Sequence, residues 1–201
     1  MVEKLAINGG SKTVPDGLIK PWPWITEDDK KAILEVLNRD LSRDDSYPVA
    51  ELCNEWAQYV GVKHCLFTNS GTSALHMSVA AAGVGPGDEV ITSAYTFLAS
   101  ASCVLHHNGI PIFVDIDPRT FNIDPNKIEE KITEKTKAII AVHIQGLPAD
   151  MDEIMTIAKK HDLIVIEDAC QAHGAEYKGK KVGSLGHMAG FSLNRSKNLQ
   201  A

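Results

Sequence analysis

The feature that most constrains the fold is a short apolar run that ends on two acids. Leu163 to Ile166 are apolar and rich in β-branched side chains, and Glu167 and Asp168 follow directly. Such a run is too short for a membrane span and suits a buried strand of a parallel sheet. Ligands of open α/β sheets bind outside the carboxyl ends of the strands. Asp168 is therefore predicted to lie at a ligand site.

Lys197 is the second group that points to a chemistry. An acid at a strand end and a distant lysine are the two groups that a pyridoxal 5'-phosphate (PLP) enzyme needs. The acid keeps the pyridine nitrogen of the cofactor protonated, and the lysine amine forms a Schiff base with it. Asp168 and Lys197 are thus the catalytic candidates. The plainer alternatives are a turn acid and a solvated surface lysine.

A small-residue turn at Ser70-Gly71-Thr72 forms a candidate anion site. A predicted strand, Cys65–Thr68, leads into this turn, and a helix is predicted to follow through Ala82. The free N–H groups and the positive dipole of a helix N-terminus attract anions, and two hydroxyl groups add donors. Taken alone, the turn is better explained by a capped helix without a ligand. The downstream acid and lysine favour the anion site.

Strands and helices alternate along the rest of the chain with short connections. Thr26 is predicted to cap a first helix, and further helices are predicted from Ile123 and after Asp150. This order predicts an α/β protein of three layers, α-β-α, in which a mostly parallel sheet lies between two layers of helices. The predicted strands are Cys65–Thr68, Glu89–Thr92, Ile112–Ile116, Ala138–His143 and Leu163–Ile166.

Two other patterns are interpreted without a ligand. Residues 83–88 are glycine-rich, but their spacing is not G-x-G-x-x-G and a proline interrupts them, so a turn is predicted instead of a dinucleotide site. Asp115 and Asp117 lack further ligands at a suitable spacing, and Cys170 with His173 makes only two. No metal site is predicted.

Composition limits the classes of binding partner and the cellular compartment that can be expected for the protein. The chain has 201 residues and a formal net charge of −6, which gives no electrostatic support for binding nucleic acid. It shows neither a long apolar segment nor a signal peptide, so no membrane partner is expected. The four cysteines are scattered, as expected for a reduced, cytoplasmic protein.

Several separated motifs resemble the DegT/DnrJ/EryC family of sugar aminotransferases, and they fall in the family's order. They are Ser70-Gly71-Thr72-Ser73-Ala74-Leu75, Thr96-Phe97-Leu98-Ala99-Ser100, Asp168-Ala169-Cys170-Gln171-Ala172-His173-Gly174, Gly183-Ser184-Leu185-Gly186, Phe191-Ser192 and Ser196-Lys197-Asn198. The resemblance covers nearly the whole chain. It implies the large domain of a fold-type I PLP-dependent transferase, here incomplete.

The resemblance also implies roles for individual residues. Lys197 would carry PLP and Asp168 would pair with the ring nitrogen. Ser70, Gly71, Thr72 and Ser192 would hold the phosphate. Phe97 would stack on the pyridine ring, although a core position at the start of the next helix is the alternative. Gln171 would lie beside the ring near its phenolic oxygen. His187 stands where the family usually has aspartate, and no chemistry is assigned to it.

The expected function is a PLP-dependent transfer of an amino group from glutamate or glutamine to a keto sugar, commonly nucleotide-linked, or to a keto cyclitol. Residues 1–24 are expected to form an N-terminal arm and residues 25–201 the PLP-binding large domain. Family members continue past the lysine into a small domain, so a truncated chain lacking that domain is expected, with a homodimer for a full-length version. The alternatives are a fragment that keeps the fold without turnover and an unrelated nucleotide-binding α/β domain.

Overall fold

The computed structural model describes residues 4–19, 22–38 and 48–199. The chain divides into two compact units, Met1–Asp45 and Ser46–Ala201. In the first unit, helix α1 spans Glu27–Leu37. The Asp29 amide donates to Thr26 Oγ1, and the Thr26 amide donates to the Asp29 carboxylate at 2.7 Å. This capping box satisfies two backbone donors at the helix start and confirms Thr26 as the predicted cap.

The second unit is built on a parallel sheet. In the described part of the chain its strands are β1 (Glu89–Ser93), β2 (Ile110–Val114), β3 (Thr136–Val142), β4 (Ile164–Asp168) and β7 (Met188–Gly190). These five strands lie in the order β2-β1-β3-β4-β7, and every pairing is parallel. Two short antiparallel strands, β5 (Glu176–Tyr177) and β6 (Lys180–Lys181), form a separate hairpin. The remaining helices are α2 (Val49–Val60), α3 (Gly71–Ala81), α4 (Ala99–Leu105) and α5 (Met151–His161).

Helices cover both faces of this sheet. Alternate residues of a strand point to opposite faces, and β3 shows this clearly, because Ala138 and Ile140 join one buried cluster while Ile139 joins another. The first cluster includes residues of α3 and α4, and the second includes residues of α5. The predicted three-layer α/β architecture is confirmed.

Two predicted elements are wrong. Residues 65–68 form no strand, and Leu66 is 77% exposed. A strand exists only where a neighbour pairs with it, and no strand in the described residues does so here. The helix predicted from Ile123 is replaced by two 3₁₀ turns, Pro125–Lys127 and Glu129–Lys131. Ile132 has extended dihedral angles, which stops the second turn from continuing. Within the described ranges, every helix is too short or too polar to cross a lipid bilayer.

Candidate active site

Five of the predicted site residues end or follow strands of the sheet: Phe97 follows β1, Asp168 and Gln171 end or follow β4, and Ser192 and Lys197 follow β7. Strand β4 ends at Asp168 and pairs with β3 and β7, so the loops that follow these strands emerge together. Asp168 is only 5% exposed. The position predicted for it, at the carboxyl end of a central strand, is therefore the position that it occupies.

Two hydrogen bonds from different segments hold the Asp168 carboxylate. Ser100 Oγ, from α4, donates to Oδ2 at 2.6 Å, and the Cys170 amide donates to Oδ1 at 3.2 Å. Thr96 Oγ1 lies 2.7 Å from Ser100 Oγ. A carboxylate with both oxygens engaged has a fixed orientation, although each oxygen keeps a further lone pair for a ligand.

The N-terminus of α3 packs against the segment that carries Ser192. Ser70 caps the helix, since its hydroxyl accepts the Ser73 amide at 3.1 Å. A Cβ atom on Gly71 would lie 2.7 Å from Ser192 Cβ and 2.9 Å from Cys170 Sγ, so a side chain at this position would need its neighbours to move. The structure thus brings the predicted anion turn and Ser192 together, and the half-buried Thr72 follows in the first turn of the helix.

Lys197 and Gln171 line one cleft of about 540 Å³ beyond the ends of β3 and β4. Gln171 is anchored there because its Oε1 accepts the Gln145 amide at 2.9 Å. The Lys197 amide donates to the Asn194 carbonyl at 2.8 Å, which closes the turn before the lysine. Two residues predicted from separate motifs are therefore neighbours.

The Cys170 thiol connects Asp168 electrostatically with Lys197. Burial is the main cause that raises the pKa of Cys170, and the Asp168 carboxylate raises it further, whereas the Lys197 ammonium lowers it. Burial, followed by the same carboxylate, raises the pKa of Cys103 to about 12. Asp168 and Lys197 thus both influence the pKa of one partly buried thiol.

Phe97 is a predicted site residue whose side chain is largely exposed. It is 64% exposed, so it is not the core residue that the alternative interpretation required. Its carbonyl accepts the Ser100 amide at 3.2 Å. Phe97 thus follows the carboxyl end of β1 and lies in the turn before Ser100, the serine that contacts Asp168.

His173 contributes a buried polar group that is not satisfied. Both ring nitrogens are inaccessible to water, and neither makes a hydrogen bond of normal geometry with any described residue, although the Ser192 backbone lies close by. Trp56 and Phe191 pack around the imidazole. Burial lowers the pKa of His173, so the neutral ring is favoured. The residue shares the cleft with Lys197.

Glu167 stabilises the other side of the β4 end. This fully buried carboxylate accepts a hydrogen bond from His143 Nε2 at 2.9 Å and from backbone amides of Gly183, Leu185 and Gly186 at 2.7–2.8 Å. Burial raises the pKa of Glu167, but the hydrogen bonds from His143 and from the Gly183 and Gly186 amides outweigh it, and the pKa lies below its ordinary value. His143 is thus a structural histidine.

Other titratable residues have structural partners. Asp115 pairs with Lys127, and Asp117 pairs with Arg119. Hydrogen bonds from Arg119 lower the pKa of Asp117 to about 2. Within the described residues, no group of three or more histidine, cysteine or acidic side chains could hold a metal ion. His187 Nδ1 accepts the Val165 amide at 3.0 Å and supports the beginning of β4.

Sequence reasoning missed Ser100, His173 and the Glu167–His143 pair. Thr96 and Ser100 are four residues apart, a spacing that a helical turn brings together, and this was the signal available for them. Nothing local indicated that the Ser100 hydroxyl would meet a carboxylate 68 positions later.

The chain belongs to the DegT/DnrJ/EryC1/StrS aminotransferase family, whose sequence profile matches residues 23–201. The family-level resemblance of the motifs is thereby confirmed. The match includes every residue that was predicted for the site.

Two curated relatives illustrate the family. The chain is 45% identical to a GDP-perosamine synthase from Caulobacter vibrioides over 171 residues, which are 85% of this chain and 46% of the relative. It is 40% identical to an L-glutamine:2-deoxy-scyllo-inosose aminotransferase from Streptomyces lividus over 208 aligned positions, which cover 99% of this chain and 48% of that one. The chain therefore spans about half the length of these relatives.

Solved structures share the fold. An aminotransferase from Psychrobacter cryohalolentis superposes with a TM-score of 0.82 at 41% identity, covering 90% of this chain and 46% of that protein. NtdA from Bacillus subtilis, solved with the cofactor PMP bound, gives 0.74 at 38% identity and covers 88% and 40%. The second unit is thus the fold-type I architecture of PLP-dependent aminotransferases.

Proposed function

We propose that the protein is a PLP-dependent aminotransferase. The observation that supports this most is the close packing of the α3 N-terminus on Ser192, beside the fixed carboxylate of Asp168. A Cβ atom on Gly71 would overlap Ser192, so the absence of a side chain lets the helix N-terminus pack against Ser192. The free N–H groups at a helix N-terminus attract anions. A phosphate-bearing, nitrogen-containing ring suits this set of groups.

The residues present fit the cofactor. Hydroxyl groups and helix N–H groups suit a phosphate, and a buried carboxylate suits a protonated ring nitrogen. Gln171 Oε1 accepts a backbone amide, so its NH₂ group would be the donor to a ligand oxygen. When bound, PLP supplies an electron sink for the carbon that bears the amino group. We assign the phosphate to Ser70, Gly71, Thr72 and Ser192, the ring nitrogen to Asp168, the ring oxygen to Gln171 and the ring face to Phe97.

Lys197 has two roles in this proposal. Its Nζ atom would hold the cofactor covalently at rest. Once an amino donor had displaced it, the same Nζ would take the proton from the donor's Cα and deliver it to the cofactor's C4′ atom. Asp168 would keep the ring nitrogen protonated. The half-buried position of Lys197 in the cleft supports both roles.

The substrates proposed are a keto sugar, commonly nucleotide-linked, or a keto cyclitol, with glutamate or glutamine as the donor. The activities named for the two relatives, a GDP-perosamine synthase and an L-glutamine:2-deoxy-scyllo-inosose aminotransferase, support these classes. We also propose residues 1–24 as an arm, residues 25–201 as the PLP-binding large domain, and a cytoplasmic location.

A homodimer is proposed for the functional protein. Tyr95, Phe97 and Leu98 expose apolar surface at the edge of the sheet where the site lies. A second copy that covered these side chains would remove this surface from water and shield the site. Analytical ultracentrifugation tests the dimer, and a monomer that transaminates would contradict it.

Titration of the purified protein with PLP tests the cofactor. A visible absorbance band is expected, and borohydride should leave a pyridoxyl group on Lys197 that peptide mass spectrometry locates. Lys197→Ala should abolish this label, whereas Lys180→Ala, an exposed lysine of the β5–β6 hairpin, should keep it. A Lys197→Ala protein that retained the reducible band would contradict the proposal.

Turnover separates the aminotransferase from a catalytically incomplete fragment. Addition of L-glutamine or L-glutamate should convert the bound cofactor to its amino form, and a keto substrate should reverse this. Cofactor binding without conversion by either donor would favour the fragment that keeps the fold without catalysis.

A further inference from the structure

A chain of hydroxyl groups joins the turn before α4 to the Asp168 carboxylate. Thr96 Oγ1 lies 2.7 Å from Ser100 Oγ, and Ser100 Oγ lies 2.6 Å from Asp168 Oδ2. Ser100 is completely buried, and Asp168 nearly so. The Ser100–Asp168 contact is shorter than most hydroxyl hydrogen bonds, as expected for a carboxylate acceptor, and the Thr96–Ser100 contact has an ordinary length.

The direction of these hydrogen bonds follows from the number of protons. A serine hydroxyl has one proton, and Ser100 Oγ faces both the Asp168 carboxylate at 2.6 Å and the Phe97 carbonyl at 3.3 Å. The shorter, charge-assisted bond takes the proton. Ser100 must then accept from Thr96, so the chain runs from Thr96 through Ser100 to Asp168.

We propose that Ser100 is a positioning residue for Asp168, and that Thr96 in turn orients Ser100. The Ser100 hydroxyl and the Cys170 amide approach different carboxylate oxygens from different elements, and together they prevent the carboxylate from rotating. Phe97 lies between the two hydroxyl residues in sequence. The same hydrogen bonds therefore link the residue assigned to the ring face with the residue assigned to the ring nitrogen.

This inference rests on the proposed function, because it assigns Asp168 to the cofactor nitrogen. It goes further in predicting that α4 controls the protonation of that nitrogen. Without the Ser100 hydroxyl, Oδ2 loses its donor in a buried site, and the carboxylate can turn away from the ring. A purely structural serine would affect only the stability of the fold.

The test compares Ser100→Ala and Thr96→Val with Ser102→Ala, the same deletion in the same helix. We expect Ser100→Ala to weaken PLP binding about tenfold, the loss of one charge-assisted hydrogen bond, and Thr96→Val to weaken it about threefold. Ser102→Ala should stay within about twofold of the wild type. The ¹⁵N NMR shift of ring-labelled PLP should move toward the deprotonated nitrogen in Ser100→Ala, while the melting temperature of the cofactor-free protein distinguishes destabilised variants.

Each result either supports or overturns the inference. Unchanged PLP affinity and ¹⁵N shift in Ser100→Ala would overturn it while leaving the proposed function intact, as would an equal loss in Ser102→Ala. A wild-type protein that bound no PLP would overturn the proposed function and, with it, this inference. If Ser100→Ala does not fold, Thr96→Val carries the test, and wild-type affinity and ¹⁵N shift in that variant would overturn the positioning role.

Discussion

Replacement of Glu167 by glutamine tests how the end of β4 is held. The side chain is fully buried, and its two oxygens accept separate sets of donors. Oε2 accepts from His143 Nε2 and the Gly183 amide, and Oε1 accepts from the Leu185 and Gly186 amides. Glutamine has nearly the same shape, so the substitution changes charge and hydrogen bonding and leaves the packing volume almost unchanged.

The magnitude follows from counting the donors that glutamine cannot satisfy. Its NH₂ group must replace one oxygen, and in either orientation it faces two donors. His143 cannot relieve the conflict by moving its proton, because its Nδ1 already accepts the Ala149 amide at 3.1 Å. Two hydrogen bonds to a charged group are lost, at about 1.5–3 kcal/mol each, so we expect a loss of about 3–6 kcal/mol. Domains of this kind are stable by only about 5–15 kcal/mol in total.

Urea unfolding followed by circular dichroism measures this loss. The matched control is Glu153→Gln, the same substitution at an exposed position of α5, where a change within about 0.5 kcal/mol is expected. Because the pKa of Glu167 is lowered in the folded state, its contribution is present above the unfolded pKa of about 4.3 and is lost as pH falls through the folded pKa. Equal urea midpoints for the two variants at neutral pH would refute the reasoning.

Three further predictions concern packing, pH and capping. Gly71→Ala should lower stability by about 1–3 kcal/mol in thermal unfolding, because its Cβ would overlap Ser192, whereas Gly85→Ala has space and should not. Burial depresses the pKa of His173, so the contribution of this residue to stability is present above about pH 6.5 and is lost as pH falls below that value. When the pH is lowered from about 8 to about 5.5, the urea midpoint of His173→Phe should therefore fall less than that of the wild type. An equal fall in the two proteins would contradict this prediction. Thr26→Ala should cost about 1 kcal/mol and speed amide exchange in α1, and unchanged exchange would count against the capping box.

Features that depend on neighbouring residues could be predicted from the sequence. The caps at Thr26 and Ser70 act within one turn of their helices, so their residue types identify them. Strand β4 was predictable because an apolar, β-branched run of this length has few other structures available. The position of Asp168 at the site followed from the strand alone, since ligands of parallel sheets bind at that edge.

Features that depend on distant residues could not be predicted in this way. The apolar segment 65–68 resembles a strand, but strand formation is decided by a pairing neighbour that local sequence does not reveal. The helix expected from Ile123 does not form, and two short 3₁₀ turns take its place. Here too the tertiary context overrides a weak local preference. The Ser100–Asp168 and His143–Glu167 contacts join residues 68 and 24 positions apart.

The two adjacent acids at the end of β4 show how one strand can support both stability and a site. Successive strand residues face opposite sides of the sheet, and here Ile166 packs with α3 and α4 while Val165 packs with α5. Asp168 continues the first side and meets Ser100 of α4, whereas Glu167 continues the second and binds the Gly183–Gly186 loop. That loop leads directly into β7, which pairs with β4 and precedes Ser192. The buried acid without a proposed chemical role thus ties the end of β4 to the loop that leads into the strand before Ser192.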